Sequence, residues 1–124
     1  MAHILIVDDD PIVRGNTARL LAGKGHAVVE AESGDQALSY VDETAVDLVI
    51  MDIVMPDKGG LEAIMEIHAL HPRIPAIVMS GKVPLGTAAV DSLMEHCGAK
   101  AILSKPFTAT ELFAAVEKAL AASS

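Results

Sequence analysis

The sequence predicts a doubly wound α/β domain, one parallel sheet with helices on both faces. Three observations carry that reading. Short apolar runs rich in Val and Ile recur along the chain, among them Ile4-Leu5-Ile6-Val7, Leu48-Val49-Ile50-Met51 and Ala101-Ile102-Leu103-Ser104. Near-continuous apolar runs of this length suit strands covered on both faces. Helical patterns lie between the runs with short joints, and strand–helix alternation of that kind gives a parallel sheet. Each of the three runs also leads into a reactive group: Asp8-Asp9-Asp10, Asp52 and Lys105-Pro106. In an open α/β sheet the ligand site lies outside the carboxyl ends of the strands.

The elements follow in order. Strands are expected over about His3–Val7, Ala27–Ala31, Asp47–Met51, Ala76–Met79 and Ala101–Leu103. Asp10-Pro11 supplies an N-cap and a Pro at the first helical position, opening a helix to about Ala22 that Gly23 and Gly25 stop. Ser33-Gly34-Asp35-Gln36 fits a capping box for a helix through about Glu43. Leu61, Ile64, Met65 and His68 share one face of a third helix, whose exit Pro72 and Pro75 bracket. Pro84 is expected to open the fourth helix, which ends near Gly98. Thr108-Ala109-Thr110-Glu111 is a second capping box, and Leu112, Val116 and Leu120 form the buried stripe of the last helix. Residues 1–124 read as one domain, with a tail from about 120 to 124 expected to fray.

Composition narrows the function classes. Aromatics are only Tyr40, Phe107 and Phe113, so the core is aliphatic, and a net charge of −8 argues against a nucleic-acid surface. Cys97 is the single cysteine and reads as a small buried hydrophobe rather than a reactive thiol. No apolar run has the length of a membrane span and no signal peptide is evident, so a cytoplasmic setting is expected. Gly23-Lys24-Gly25 follows a helix and lacks a third glycine, which excludes a dinucleotide loop. His3, His26, His68, His71 and His96 lack metal-ligand spacing.

The strand ends carry the chemistry. Asp52 at the end of the third strand can act as a nucleophile toward a phosphoryl group, giving an acyl phosphate. Asp8 and Asp9 end the first strand. Three carboxylates brought together repel one another, and Mg²⁺, which prefers oxygen ligands and keeps several waters, removes that penalty. Asp10 is assigned to capping the first helix instead. Lys105 can reach phosphoryl oxygens or pair with Asp52, and the Ser80 hydroxyl can donate to a phosphoryl oxygen.

Val7-Asp8-Asp9, Asp52-Ile53-Val54-Met55-Pro56 with Gly60 eight residues after the aspartate, Ser80, and Lys105-Pro106-Phe107 stand in order and spacing along the whole chain. This set resembles the receiver domain of bacterial two-component response regulators. The resemblance implies a flavodoxin-like (βα)5 sandwich of strand order 2-1-3-4-5. It implies that Asp52 accepts a phosphoryl group from a sensor histidine kinase or histidine phosphotransfer protein, with Lys105 and Ser80 contacting that group. It implies a Mg²⁺ site, in which Mn²⁺ can substitute, made by Asp9, Asp52 and the backbone carbonyl of Val54, with Asp8 acting mainly through a bound water. The output would be a phosphorylation-dependent change on the face of helix 4, strand 5 and helix 5. That face would meet a downstream protein or an effector domain, or make a homodimer. Specificity for the kinase would sit around Pro11–Thr17.

The chain departs from the family pattern at named positions. Ile102 stands where an aromatic often couples the hydroxyl to the output face, so signalling through a Tyr or Phe rotamer is excluded. Gly81 follows Ser80 where Ala is common, and Gly59 precedes Gly60 where an acid is usual. Val54 has no polar side chain to orient an attacking water, so slow loss of the phosphoryl group is expected. A phosphatase of the haloacid-dehalogenase type would need a second acid at the position of Val54, so the reading is a phosphoacceptor switch rather than an enzyme. A phosphorylation-independent scaffold would not require the full set of Asp8, Asp9, Asp52, Ser80 and Lys105. A flavin carrier fits poorly, because few aromatics could sandwich a ring.

Overall fold

Strands and helices alternate in a computed structural model that describes residues 1–53, 59–81 and 87–122. The strands are β1 (His3–Val7), β2 (Ala27–Ala31), β3 (Leu48–Asp52), β4 (Ala76–Ser80) and β5 (Ala99–Ser104). The helices are α1 (Pro11–Gly23), α2 (Gly34–Glu43), α3 (Gly60–Leu70), α4 (Thr87–His96) and α5 (Ala109–Ala122). All strand pairs are parallel and the sheet order is β2-β1-β3-β4-β5. This is the flavodoxin-like arrangement that the sequence implied.

The alternation of side chains along each strand divides the core into two layers. Leu5, Val7, Val49, Met51 and Val78 pack with Ala37 and Val41 of α2 and Ala63, Ile64 and Ile67 of α3. Ile4, Ile6, Ile50, Ile77 and Met79 face the other way, against Leu21 of α1 and Leu112, Ala115, Val116 and Ala119 of α5. β3 and β4 are buried at every position, as central strands must be. Cys97, buried at the end of α4, belongs to the first layer.

Strand limits move slightly from the sequence reading. β3 includes Asp52 and begins at Leu48, and β4 includes Ser80, because the parallel ladders continue to those residues. β5 starts earlier, at Ala99, with a bulge in its pairing between Ala76 and Ile77 of β4.

The helix signals work largely as expected. Asp10 caps α1, its Oδ1 accepting from Ile12 N at 2.9 Å and Val13 N at 3.4 Å. Gly25, just past α1, has φ of 91°, a conformation that favours glycine. Thr108 and Glu111 form the reciprocal box, with bonds of 3.1 Å and 3.0 Å. The α2 box is only half made: Ser33 Oγ accepts from Gln36 N, but the Gln36 side chain accepts from Glu32 N, one residue earlier than expected. Pro84 lies outside the described residues.

The inward face of α3 differs from the expectation. Ile64 is buried, but Leu61 is 42% and Met65 45% exposed, and His68 is only half-buried. Gly60, Ala63 and Ile67 take the inner positions. The reason is the close approach of the helix start to β3, where only small residues fit: a Cβ on Gly60 would lie 1.8 Å from the Asp52 carbonyl oxygen.

Candidate functional site

Strand register brings the reactive residues together. Val7 pairs with Met51, so Asp8 and Asp52 end neighbouring strands side by side. Asp52 pairs with Met79, and Ser80 pairs with Ser104, the residue before Lys105. Backbone bonds carry the pairing past the strand ends: Asp8 N donates to Ala31 O at 3.1 Å, Ile53 N to Met79 O at 3.1 Å and Lys105 N to Ser80 O at 2.8 Å. The Lys105-Pro106 peptide is cis.

Oxygen atoms of Asp8, Asp9 and Asp52 all lie within 4.8 Å of one another. Asp8 and Asp52 are buried, at 0% and 3% exposure, whereas Asp9 is exposed at the rim. Lys105 Nζ donates to Asp8 Oδ2 at 2.6 Å and to Asp52 Oδ2 at 3.0 Å. Burial of Lys105 pushes its pKa down, but the bonds and charges of Asp8 and Asp52 outweigh this and hold it above the usual 10.5. Ser80 is buried beside this group at the end of β4. Five of the expected site residues, Asp8, Asp9, Asp52, Ser80 and Lys105, therefore stand at one sheet edge. Val54 lies outside the described residues.

The sequence reading missed Arg14. From α1, its Nη1 donates to the Asp8 carbonyl at 2.7 Å, and its Nε donates to Glu30 Oε1 of β2 at 3.0 Å. Asp8 Oδ1 also accepts from Asp10 N at 2.9 Å. Every polar group of Asp8 is thus engaged: its amide by Ala31, its carbonyl by Arg14, and its two carboxylate oxygens by Asp10 and Lys105. The peptide linking Asp8 to Asp9 is fixed, while the Asp9 carboxylate makes no bond with the described residues. The available signal was position, since Arg14 follows the cap residue Asp10 by one helical turn, on the α1 face nearest the strand end.

A groove of about 440 Å³ adjoins Lys105, walled by Val13 and Leu20 of α1 and by Pro106 and Phe107. Ile12 nearby is 72% exposed. No helix among the described residues is long and apolar enough to cross a membrane.

A doubly wound sheet with a carboxylate cluster and a lysine at its carboxyl edge can hold a divalent cation and a phosphoryl group. The chain belongs to the response regulator receiver domain family, whose model matches residues 4–117. It is 38% identical over 120 residues to the chemotaxis protein CheY of Listeria monocytogenes, covering 96% of this chain and 98% of that one. It is 42% identical over 118 residues to the transcriptional regulatory protein ZraR of Escherichia coli, covering 95% of this chain but 26% of that one. The chain spans about a quarter of the length of the transcriptional regulators it matches. Among solved structures, a CheY-like receiver domain protein from Methanospirillum hungatei superimposes with a TM-score of 0.88 at 29% identity, covering 99% of this chain and 96% of that one. NtrX from Brucella abortus gives 0.88 at 33% identity, covering 98% and 27%.

Proposed function

We propose that this domain is a phosphoacceptor switch in which Asp52 receives a phosphoryl group from a sensor histidine kinase or a histidine phosphotransfer protein. The observation that carries this is the position of Lys105, whose ammonium bridges the buried carboxylates of Asp8 and Asp52. An ammonium held against the acceptor oxygen can move to the transferred group, whose charge must be neutralised during transfer.

In the proposed step, a carboxylate oxygen of Asp52 forms a new O–P bond. The N–P bond of the donor phosphohistidine breaks, and the imidazole keeps the electron pair and takes a proton from solvent. Lys105 follows the phosphoryl oxygens, and the Ser80 hydroxyl donates to one of them. The hard oxygen donors of Asp8, Asp9 and Asp52 fit Mg²⁺, or Mn²⁺ in its place. The ion when bound supplies charge neutralisation at the phosphoryl oxygens. Asp9 and Asp52 would hold it with the Val54 carbonyl, and Asp8, tied to Lys105, would act through a water. No further catalytic role is assigned beyond this self-phosphorylation and slow self-dephosphorylation.

The groove beside α1 supports docking of the phosphodonor around Pro11–Thr17, since it opens next to Lys105 and is lined by Val13 and Thr17 of that segment. The response would reach a protein partner or effector through α4, β5 and α5, the face also available for a homodimer. Ile102, half-buried against the α2–α3 layer, stands on that path where an aromatic rotamer would otherwise report the change. A cytoplasmic setting is part of the same reading, for a chain whose single cysteine offers no internal disulfide.

Intact-mass measurement after incubation with Mg²⁺ and acetyl phosphate tests this reading. A single phosphoryl adduct that requires Mg²⁺ and is lost in Asp52→Asn is the expected result. No adduct with acetyl phosphate or with any kinase of a cognate screen would leave the fold as a scaffold.

A further inference from the structure

A cavity of about 420 Å³ opens at the edge of the sheet opposite the acidic cluster, where β4 and β5 begin. His68 near the carboxyl end of α3, Arg73 in the turn before β4, and Lys100 at the start of β5 all line it. Its lining includes no acid, in a chain whose net charge is −8. Arg73 and Lys100 form no ion pair with the described residues. The acid bound at this end of α3, Asp42, is already held by His71 at 2.8 Å.

His68 adds a donor. Its Nδ1 is buried without a hydrogen-bond partner among the described residues. That nitrogen faces Gly98, where an added Cβ would fall 2.6 Å from it. Gly98 has φ of 65°, so both its conformation and the space for the ring depend on the missing side chain. With Nδ1 closed off against Gly98, a proton on Nε2 would be the ring's available donor.

We propose that this cavity binds a small phosphomonoester, its phosphate held by Arg73, Lys100 and the Nε2–H of His68. Arg and Lys recognise phosphate through charge-assisted hydrogen bonds. The cavity is larger than a phosphate alone requires and falls within the range of small-molecule sites. Pro72, Ile74 and Pro75 provide an apolar wall for the organic part of the ligand. The site shares no residue with the acidic cluster.

Amide and histidine-ring NMR spectra of the full chain, without divalent cation, test the proposal. Inorganic phosphate and glycerol 3-phosphate are titrated separately, with ionic strength held constant by chloride. Saturable shifts centred on Ile74, Gly98, Ala99 and the His68 ring are expected, tighter for the ester. Arg73→Gln and Lys100→Gln should each weaken binding about tenfold, while the amides around Asp8 and Asp52 stay unchanged and so report an intact fold. Shifts reproduced by chloride alone, or unaffected by the double variant, would overturn the proposal. The cations would then serve only to balance the carboxyl end of α3.

Discussion

Lys105 Nζ lies 2.6 Å from Asp8 Oδ2, joining the end of β5 to the end of β1 across the carboxyl ends of β3 and β4. The carboxylate has no exposure to water, whereas the lysine side chain retains 21%. Removing the cation would leave a buried anion without its charge partner, which is far costlier than losing an exposed pair. The same lysine holds Asp52 Oδ2 at 3.0 Å. One ammonium therefore offsets part of the charge of the three carboxylates, and a divalent cation must share Asp8 and Asp52 with it.

Lys105→Met should therefore tighten Mg²⁺ binding while destabilising the metal-free protein. Two unit charges at contact distance interact by about 1 kcal/mol even under full water screening, so affinity should rise by roughly fivefold or more. Titration calorimetry with Mg²⁺ reads the first effect. Urea unfolding with and without Mg²⁺ reads the second, and added Mg²⁺ should recover part of the lost stability. Weaker Mg²⁺ binding in the variant would contradict the competition inferred here.

The raised pKa of Lys105 sets a limit at high pH. Its folded value lies above the usual 10.5 because Asp8 and Asp52 favour the ammonium. The associated stability is fully present below the unfolded value, and is lost as pH rises through the folded value. Denaturant midpoints of the wild-type chain should fall from about pH 10.5 upward, and Lys105→Met should remove that part of the decline. An identical decline in both proteins would assign it to other groups.

Gly60→Ala should be among the most damaging small substitutions in the chain. The added carbon would meet the Asp52 carbonyl oxygen at 1.8 Å and Ile53 Cα at 2.8 Å, and both are backbone atoms. Overpacking of this kind costs about 3 kcal/mol or more. The strain falls on the acceptor itself, so the fraction phosphorylated by acetyl phosphate should drop even at temperatures where the variant remains folded. A neutral effect on the thermal midpoint would show that α3 can retreat from β3.

Arg14→Ala should weaken metal binding without removing any candidate ligand. The Asp8 carbonyl would lose its 2.7 Å donor, at a stability cost of about 1–3 kcal/mol. The Asp8–Asp9 peptide would gain freedom, and the Mg²⁺ dissociation constant should rise. Arg14→Lys should recover charge but not the two-pronged contact with Asp8 and Glu30. Equal Mg²⁺ affinity in all three proteins would reduce Arg14 to a surface tie.

Much of this arrangement was legible in the sequence because it depends on strand ends. A buried strand announces itself by an apolar run, and the first polar residues after it stand at the sheet edge. Asp8, Asp52, Ser80 and Lys105 are all of that kind. Arg14 was not, because its role lies in a contact with a backbone carbonyl that any sequence provides. The inner face of α3 was misread for a related reason. Periodicity weights Leu61 and Met65 by their apolarity, but the contact with β3 selects for the absence of volume at Gly60. The basic cavity is assembled from α3, a turn and the start of β5, and no local pattern joins those segments.

The burial of Cys97 has a practical consequence. Its thiol is 2% exposed, and burial pushes its pKa up, so little thiolate is available to reagents in the native state. It is also the only cysteine in the chain. A cysteine introduced at an exposed position such as Ser92 on α4 would be the single maleimide-reactive site, with the native thiol left in place. A fluorophore or spin label there could follow movements of α4 in an otherwise unaltered molecule.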